Sequence, residues 1–93
     1  MPAARMSEDE VRTRLRALPD WRERDGKLTR EFKFSDFTSA VDFVNRLTPL
    51  AEAAGHHPDL QVGWGRVAVE LTSHDAGGLT EKDFQLAEQI DRL

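Results

Sequence analysis

Apolar residues recur along this chain with two periods in turn, that of a helix and that of a strand. Val11, Leu15 and Leu18 stand at helical spacing behind Ser7-Glu8-Asp9-Glu10. That quartet has the form of a capping box, and its acids suit the positive end of a helix. A short amphipathic helix is predicted from Ser7 to about Ala17, stopped by Pro19. From Trp21 to Phe34 the period falls to two. Leu28, Phe32 and Phe34 alternate with polar neighbours, Arg30 interrupts the apolar side, and Asp25-Gly26 asks for a tight primed turn. This predicts a β-hairpin.

Ser35-Asp36 then opens a second helix. Phe37, Ala40, Val41, Val44, Leu47 and Ala51 form one stripe, with Phe43, Leu50 and Ala54 beside it. At ~100° per residue the apolar arc covers about half the helix circumference. One sheet face needs less, so this helix is expected to pack on something further, most simply a second copy of the chain. Pro49 is expected to kink it or widen a turn. Gly55 suits a left-handed end, and Pro58 forbids continuation, which leaves His56 and His57 in extended or turn geometry. Leu60 to Val69 reads as a second hairpin with Trp64 between Gly63 and Gly65 at its tip. Ser73 and His74 end its second strand, and Asp75-Ala76-Gly77-Gly78 is a loop by composition. Thr80 to Asp83 is another capping box, with Asp for the usual Glu, before a last helix whose apolar side is Leu79, Leu86, Ala87, Ile90 and Leu93. The order α-β-β-α-β-β-α predicts an α+β fold, an antiparallel sheet covered on one face by helices.

The 93 residues suffice for one domain, expected over 7–93, with residues 1–6 as a loose tail. A domain this small buries a modest share of its surface, so association between copies would help it. The formal net charge of -4 argues against a nucleic-acid or anionic-membrane partner. No stretch has the apolar length of a membrane span or the pattern of a signal peptide. The chain has no cysteine, hence no disulfide and no thiolate site, which suits a reducing, cytoplasmic setting.

All three histidines lie in loops or at element ends, His56 and His57 together and His74 further on. Imidazole is the side chain whose ordinary pKa, ~6.5, lies nearest neutrality, so such a set can hold a base and an acid together. That suits elimination of water, where one group protonates the departing hydroxyl and another takes a proton from the neighbouring atom. Adjacent residues of an extended segment point to different sides, which disfavours a metal shared by His56 and His57. Glu52, one helical turn earlier, could orient an imidazole or bind a donor-rich ligand edge, or be a solvated helical acid. Asp83 reads first as a helix cap. Trp21 and Trp64 could stack on a flat heterocycle, or pack in a core or an interface.

Glu52, three residues, His56-His57-Pro58, five residues, Trp64, nine residues, His74, eight residues, Asp83 resembles the signature of the pterin-4a-carbinolamine dehydratase family, also known as the dimerisation cofactor of a homeodomain transcription factor. The flanks Leu18 to Trp21, Phe32 to Phe37 and Ser73 to Thr80 are similar to it as well. The resemblance implies a four-stranded antiparallel sheet with three helices on one face. It implies dehydration of 4a-hydroxytetrahydropterin to quinonoid dihydropterin, in support of tetrahydropterin recycling, with the pterin as substrate and with neither cofactor nor metal. His56, His57 and His74 then take the acid/base positions, with Glu52, Trp21, Trp64 and Asp83 as substrate-binding candidates. It also implies a homodimer through sheet edges or a homotetramer through the long helix. Leu60-Gln61 depart from the aromatic residues many members carry there, and Pro49 interrupts the helix a tetramer would use. The competing reading is a non-catalytic binding or assembly module on the same fold, with a protein partner the residues do not identify.

Overall fold

The capping box at Ser7 forms in full. The Ser7 N–H donates to Glu10 Oε1 at 3.0 Å and the Glu10 N–H to Ser7 Oγ at 3.2 Å, and α1 runs Glu8–Leu15. In the computed structural model, which describes residues 3–93, it ends slightly before the expected Ala17. There the bonds tighten to i→i−3, with the N–H groups of Arg16, Ala17 and Leu18 reaching Thr13, Arg14 and Leu15. Of the expected loose tail, residues 1–2 lie outside the described residues. Residues 3–6 form no regular element, yet the Met6 N–H donates to the Leu79 carbonyl at 2.8 Å and its side chain packs on the core. The chain is therefore tied down one residue before the cap.

The first hairpin pairs β1 (Arg22–Arg24) with β2 (Lys27–Lys33). Asp25 and Gly26 both have positive φ, 52° and 76°, the signature of the primed turn. Helix α2 (Phe37–Ala54) follows, capped by Asp36, whose side chain accepts from the Ser39 N–H at 2.8 Å. That bond holds the Asp36 carboxyl below the usual carboxylate range. Pro49 sits inside the helix on its exposed side and does not end it. The carbonyl it leaves unpaired thus faces water, which tolerates the defect.

Strands β3 (Asp59–Gly63) and β4 (Arg66–Leu71) form the second hairpin. Its tip differs from the first: only Gly65 has positive φ, 82°, as in a type II turn. A Cβ there would also lie 2.8 Å from the Phe34 carbonyl oxygen. Gly65→Ala is therefore expected to cost roughly 1–2 kcal/mol from backbone conformation alone, and more from the clash. A lowered denaturant midpoint with unchanged slope would check it. After β4, a short 3₁₀ turn (His74–Ala76) leads to α3 (Glu81–Asp91).

The sheet order is β1-β2-β4-β3, antiparallel throughout, and the element order is the predicted one. Leu28 of β2 and Val67, Val69 and Leu71 of β4 meet Ala40, Phe43, Leu47 and Ala51 of α2 and Phe84, Leu86, Ala87 and Ile90 of α3 in one core. Phe43 stacks near both Phe32 (4.6 Å) and Phe34 (5.1 Å). It belongs to this core rather than to an outer helix face, whereas Phe37 is half exposed. Arg30, the misfit on the apolar side of β2, lies over the Phe32 ring at 4.2 Å and reaches Asp91 at 2.6 Å. Its stem covers the core rim while its charge is matched outside. Arg14 ties α1 to α3 by a hydrogen bond to Glu81, which raises its pKa, and by a contact with the Phe84 ring at 5.1 Å. The sheet face away from the helices is polar, a hollow of about 430 Å³ lined by Arg22, Arg24, Glu31, Gln61 and Arg66 among others. No described helix is long and apolar enough to cross a membrane.

Candidate active site

Register decides where the histidines go. Asp59 pairs with Glu70, so the start of β3 lies beside the end of β4. His56 and His57 precede β3 and His74 follows β4, which brings all three out at the same end of the sheet.

The end of α2 places the first pair. Gly55 is left-handed (φ 59°), its N–H donates to the Glu52 carbonyl at 3.2 Å, and the His56 N–H donates to the Ala51 carbonyl at 3.1 Å. These two bonds make a Schellman closure, which fixes the backbone of His56 against the helix end. The His56 side chain then turns inward, where its Nε2–H donates to Asp83 Oδ1 at 2.5 Å. His57 stays at the surface and pairs with Glu52.

Asp83 is wholly buried, in the first turn of α3. Its Oδ2 accepts from the Thr80 N–H at 2.9 Å and from the Ser73 hydroxyl at 2.8 Å. Ser73 Oγ also lies 2.9 Å from Thr80 Oγ1. The helix cap read from the sequence is thus present, and the same carboxyl anchors His56. A buried acid with each oxygen engaged is fully hydrogen-bonded, and among the described residues no buried side-chain polar atom lacks a partner. With Nε2 committed, His56 keeps only Nδ1 for anything else.

His74 is exposed at the start of its 3₁₀ turn, directly after the Ser73 that bonds Asp83. The loop behind it is closed by paired backbone bonds between Ser73 and Gly78, at 3.2 and 3.3 Å. His56, Asp83 and Ser73 therefore form a hydrogen-bonded bridge, with His57 adjoining one end in sequence and His74 the other.

The two tryptophans go elsewhere. Trp21 is a core residue, 3% exposed, edge-on to Phe32 with its Nε1–H donating to Asp91 at 2.8 Å; it presents no open ring face. Trp64 is 73% exposed at the hairpin tip. It stands at the other end of β3 from the histidines, roughly 20 Å away at ~3.3 Å per residue. Among the described residues no three His, Asp or Glu side chains gather as metal ligands would. Three surface hollows, on the open sheet face, beside α1, and between the end of α2 and α3, contain none of the histidines. At this end of the sheet His57 and His74 form an exposed shelf, with His56 partly buried. Sequence reasoning missed Ser73 as a partner of Asp83; Thr80 was signalled by the capping box, but nothing local marks a serine that bonds ten residues away.

Residues 4–93 match the family model described as Pterin 4 alpha carbinolamine dehydratase. A protein of Picosynechococcus sp. assigned as a pterin-4-alpha-carbinolamine dehydratase is 50% identical over 91 residues, 98% of this chain and 99% of that one. One of Chloroflexus aggregans, assigned likewise, is 50% identical over 91 residues, 97% of each chain. The crystal structure of a transcriptional coactivator/pterin dehydratase from Brucella melitensis has a TM-score of 0.90 at 37% identity, covering 95% of this chain and 96% of that one. A pterin dehydratase-like protein identified as a RuBisCO assembly factor in the alpha-carboxysome has a TM-score of 0.62 at 23% identity, covering 77% and 83%. At that identity the likeness carries the fold alone.

Proposed function

Because this chain belongs to the pterin 4 alpha carbinolamine dehydratase family, we propose that it dehydrates 4a-hydroxytetrahydropterin to quinonoid dihydropterin by histidine acid/base chemistry. The observation that carries the histidine part is the division of labour at the sheet end. His56 is held inward by a buried carboxyl, while His57 and His74 are exposed to solvent at the same end of the sheet.

In this reading an imidazolium protonates the C4a hydroxyl. The C4a–O bond breaks and water leaves with the bonding pair. A neutral imidazole takes the proton from N5, and the N–H electron pair becomes the new C4a=N5 bond. His57 and His74 are the proton carriers, because their rings are free to meet a solute. His56 and Asp83 position them and the substrate edge. Glu52, paired with His57, sets that ring's orientation. Trp21 supports the site from the core. The active form is a homodimer or homotetramer.

The test is stopped-flow turnover of chemically prepared 4a-hydroxytetrahydropterin. Acid/base catalysis of this kind is expected to speed dehydration by roughly 10² to 10⁴-fold over buffer, in proportion to protein. A rate equal to buffer overturns the proposal in favour of the non-catalytic binding or assembly module; a similar fold occurs in a protein identified as a RuBisCO assembly factor.

A further inference from the structure

We infer that Arg5 is a positioning residue for His74: its stem and the neighbouring Met6 backbone clamp the back of the loop that carries that ring. The inference rests on the reading of His74 as a proton carrier. It starts from the N-terminal segment, which touches none of the histidines and yet reaches the His74 loop by two contacts. The Met6 N–H donates to the Leu79 carbonyl at 2.8 Å. The Arg5 side chain lies against Gly78, where an added Cβ would meet Arg5 Cδ at 2.8 Å and Cγ at 3.1 Å.

Left to itself the loop is weakly held. Ser73 and Gly78 close it by backbone bonds of 3.2 and 3.3 Å, at the long end of the usual range. The bond from Met6 at the loop's exit is shorter than either. His74, Asp75 and Gly77 are exposed. The back of the loop does not rest on the core: Gly77, Gly78 and Leu79 border the hollow of about 510 Å³ beside α1. A Cβ on Gly77 would meet nothing within 4 Å, and one on Gly78 would meet Arg5 alone among the described residues. Segments with few packed contacts open most readily in a fold, so the arginine stem covers the place where this loop would otherwise loosen.

The clamp has a fixed end. Met6 stands just before the Ser7 cap, the position from which a hydrophobic staple reaches the fourth helical residue, here Val11. Met6 and Val11 both pack on the core, and both line the hollow. Movement at residues 78 and 79 would pass into the site from two directions. Gly78 pairs with Ser73, which precedes His74 and bonds Asp83, while Leu79 leads directly into the Thr80 cap. Gly78 is not among the glycines of positive φ, so the backbone does not demand glycine there. What the missing side chain provides is a seat for Arg5. The contact is made through Cγ and Cδ, the apolar stem that an arginine can lay along a surface while its charged head stays in water.

Three measurements test this. The first reads the clamp without turnover. In Arg5→Ala the Gly77 and Gly78 amides are expected to exchange with solvent roughly tenfold faster, with the denaturation midpoint at the parental value. Parental exchange overturns the clamp. The second reads position. Misplacing a reacting group by about 1 Å can cost about 10²-fold, so a loosened loop is expected to lower kcat by roughly 3–10-fold while KM stays within about twofold. Arg5→Lys keeps Cγ and Cδ and is expected to hold both constants at the parental value. Unchanged kcat in Arg5→Ala, or a lysine variant as impaired as the alanine one, overturns positioning by the stem. The third couples the two residues. Gly78→Ala evicts the arginine stem, and its loss of kcat is expected to match that of Arg5→Ala. Because both break one contact, the double variant is expected to be no slower than either single one. Losses that multiply overturn the contact as their cause. A parent without dehydratase activity overturns the chemistry instead, while amide exchange still decides the clamp.

Discussion

Asp83→Ala is expected to be the most damaging single truncation at the site. The change removes one carboxyl and leaves three donors without an acceptor: the Thr80 N–H, the Ser73 hydroxyl and His56 Nε2–H. Stranding the partners of a buried polar network costs about 3 kcal/mol, a large fraction of the roughly 5–15 kcal/mol that holds a small domain together. In a chain of this size such a loss lowers the melting temperature by about 15 °C. Asp83→Asn separates the two duties of the residue. Its amide oxygen can still accept from Thr80 and Ser73, so most of the stability is expected to return. Its NH₂ would face His56, which must then accept at Nε2 and carry its proton on Nδ1. The ¹⁵N spectrum of His56 is expected to show that change of tautomer, with activity still low. If the asparagine variant matches the parent in both, Asp83 is a cap and nothing more.

How much of this was legible in the sequence depends on how local each signal is. The hairpin turn at Asp25-Gly26, the caps at Ser7 and Asp36, and the left-handed stop at Gly55 are set by a few neighbouring residues, and the expected elements match the observed ones. Register put the three histidines at one end, which followed from reading two hairpins correctly. What stayed hidden was non-local. Phe43 looked like a flank of the apolar arc, but its neighbours Phe32 and Phe34 come from β2 and the end of the first hairpin, and they draw it into the core. Pro49 predicted a kink or a wider turn; the helix runs on through it to Ala54, with the proline on its exposed side. Trp21 read as core or interface packing ahead of a stacking platform, and what the sequence could not show was its partner, Asp91 at the far end of the chain. Asp83 read as a cap; that its second oxygen reaches an imidazole across the helix layer is a fact of packing.

His57→Ala and His74→Ala are expected to lower the dehydration rate by about 10²-fold or more each, with denaturation midpoints at the parental value. The separation follows from exposure. Both rings lie at the surface, outside the core, so truncating them removes no packing. His56→Ala differs in kind: it also strands Asp83 Oδ1 in a buried site, so it is expected to lower stability and rate together. His57→Gln and His74→Gln sharpen the contrast, since glutamine keeps a hydrogen-bonding group of similar reach but cannot exchange a proton near neutrality. If the histidines act by proton transfer, the glutamine variants fall as far as the alanine ones. If they only hold the pterin in place, glutamine restores most of the rate and the loss appears in KM. Glu52→Gln belongs to the same series as a lesser change. The pair it makes with His57 is solvent-exposed, and exposed pairs are worth little, so a few-fold loss with a displaced pH profile is expected rather than a collapse. Parental rates in both His57→Ala and His74→Ala would mean that the exposed imidazoles do no chemistry, and the shelf would then be a binding surface on a fold that serves assembly.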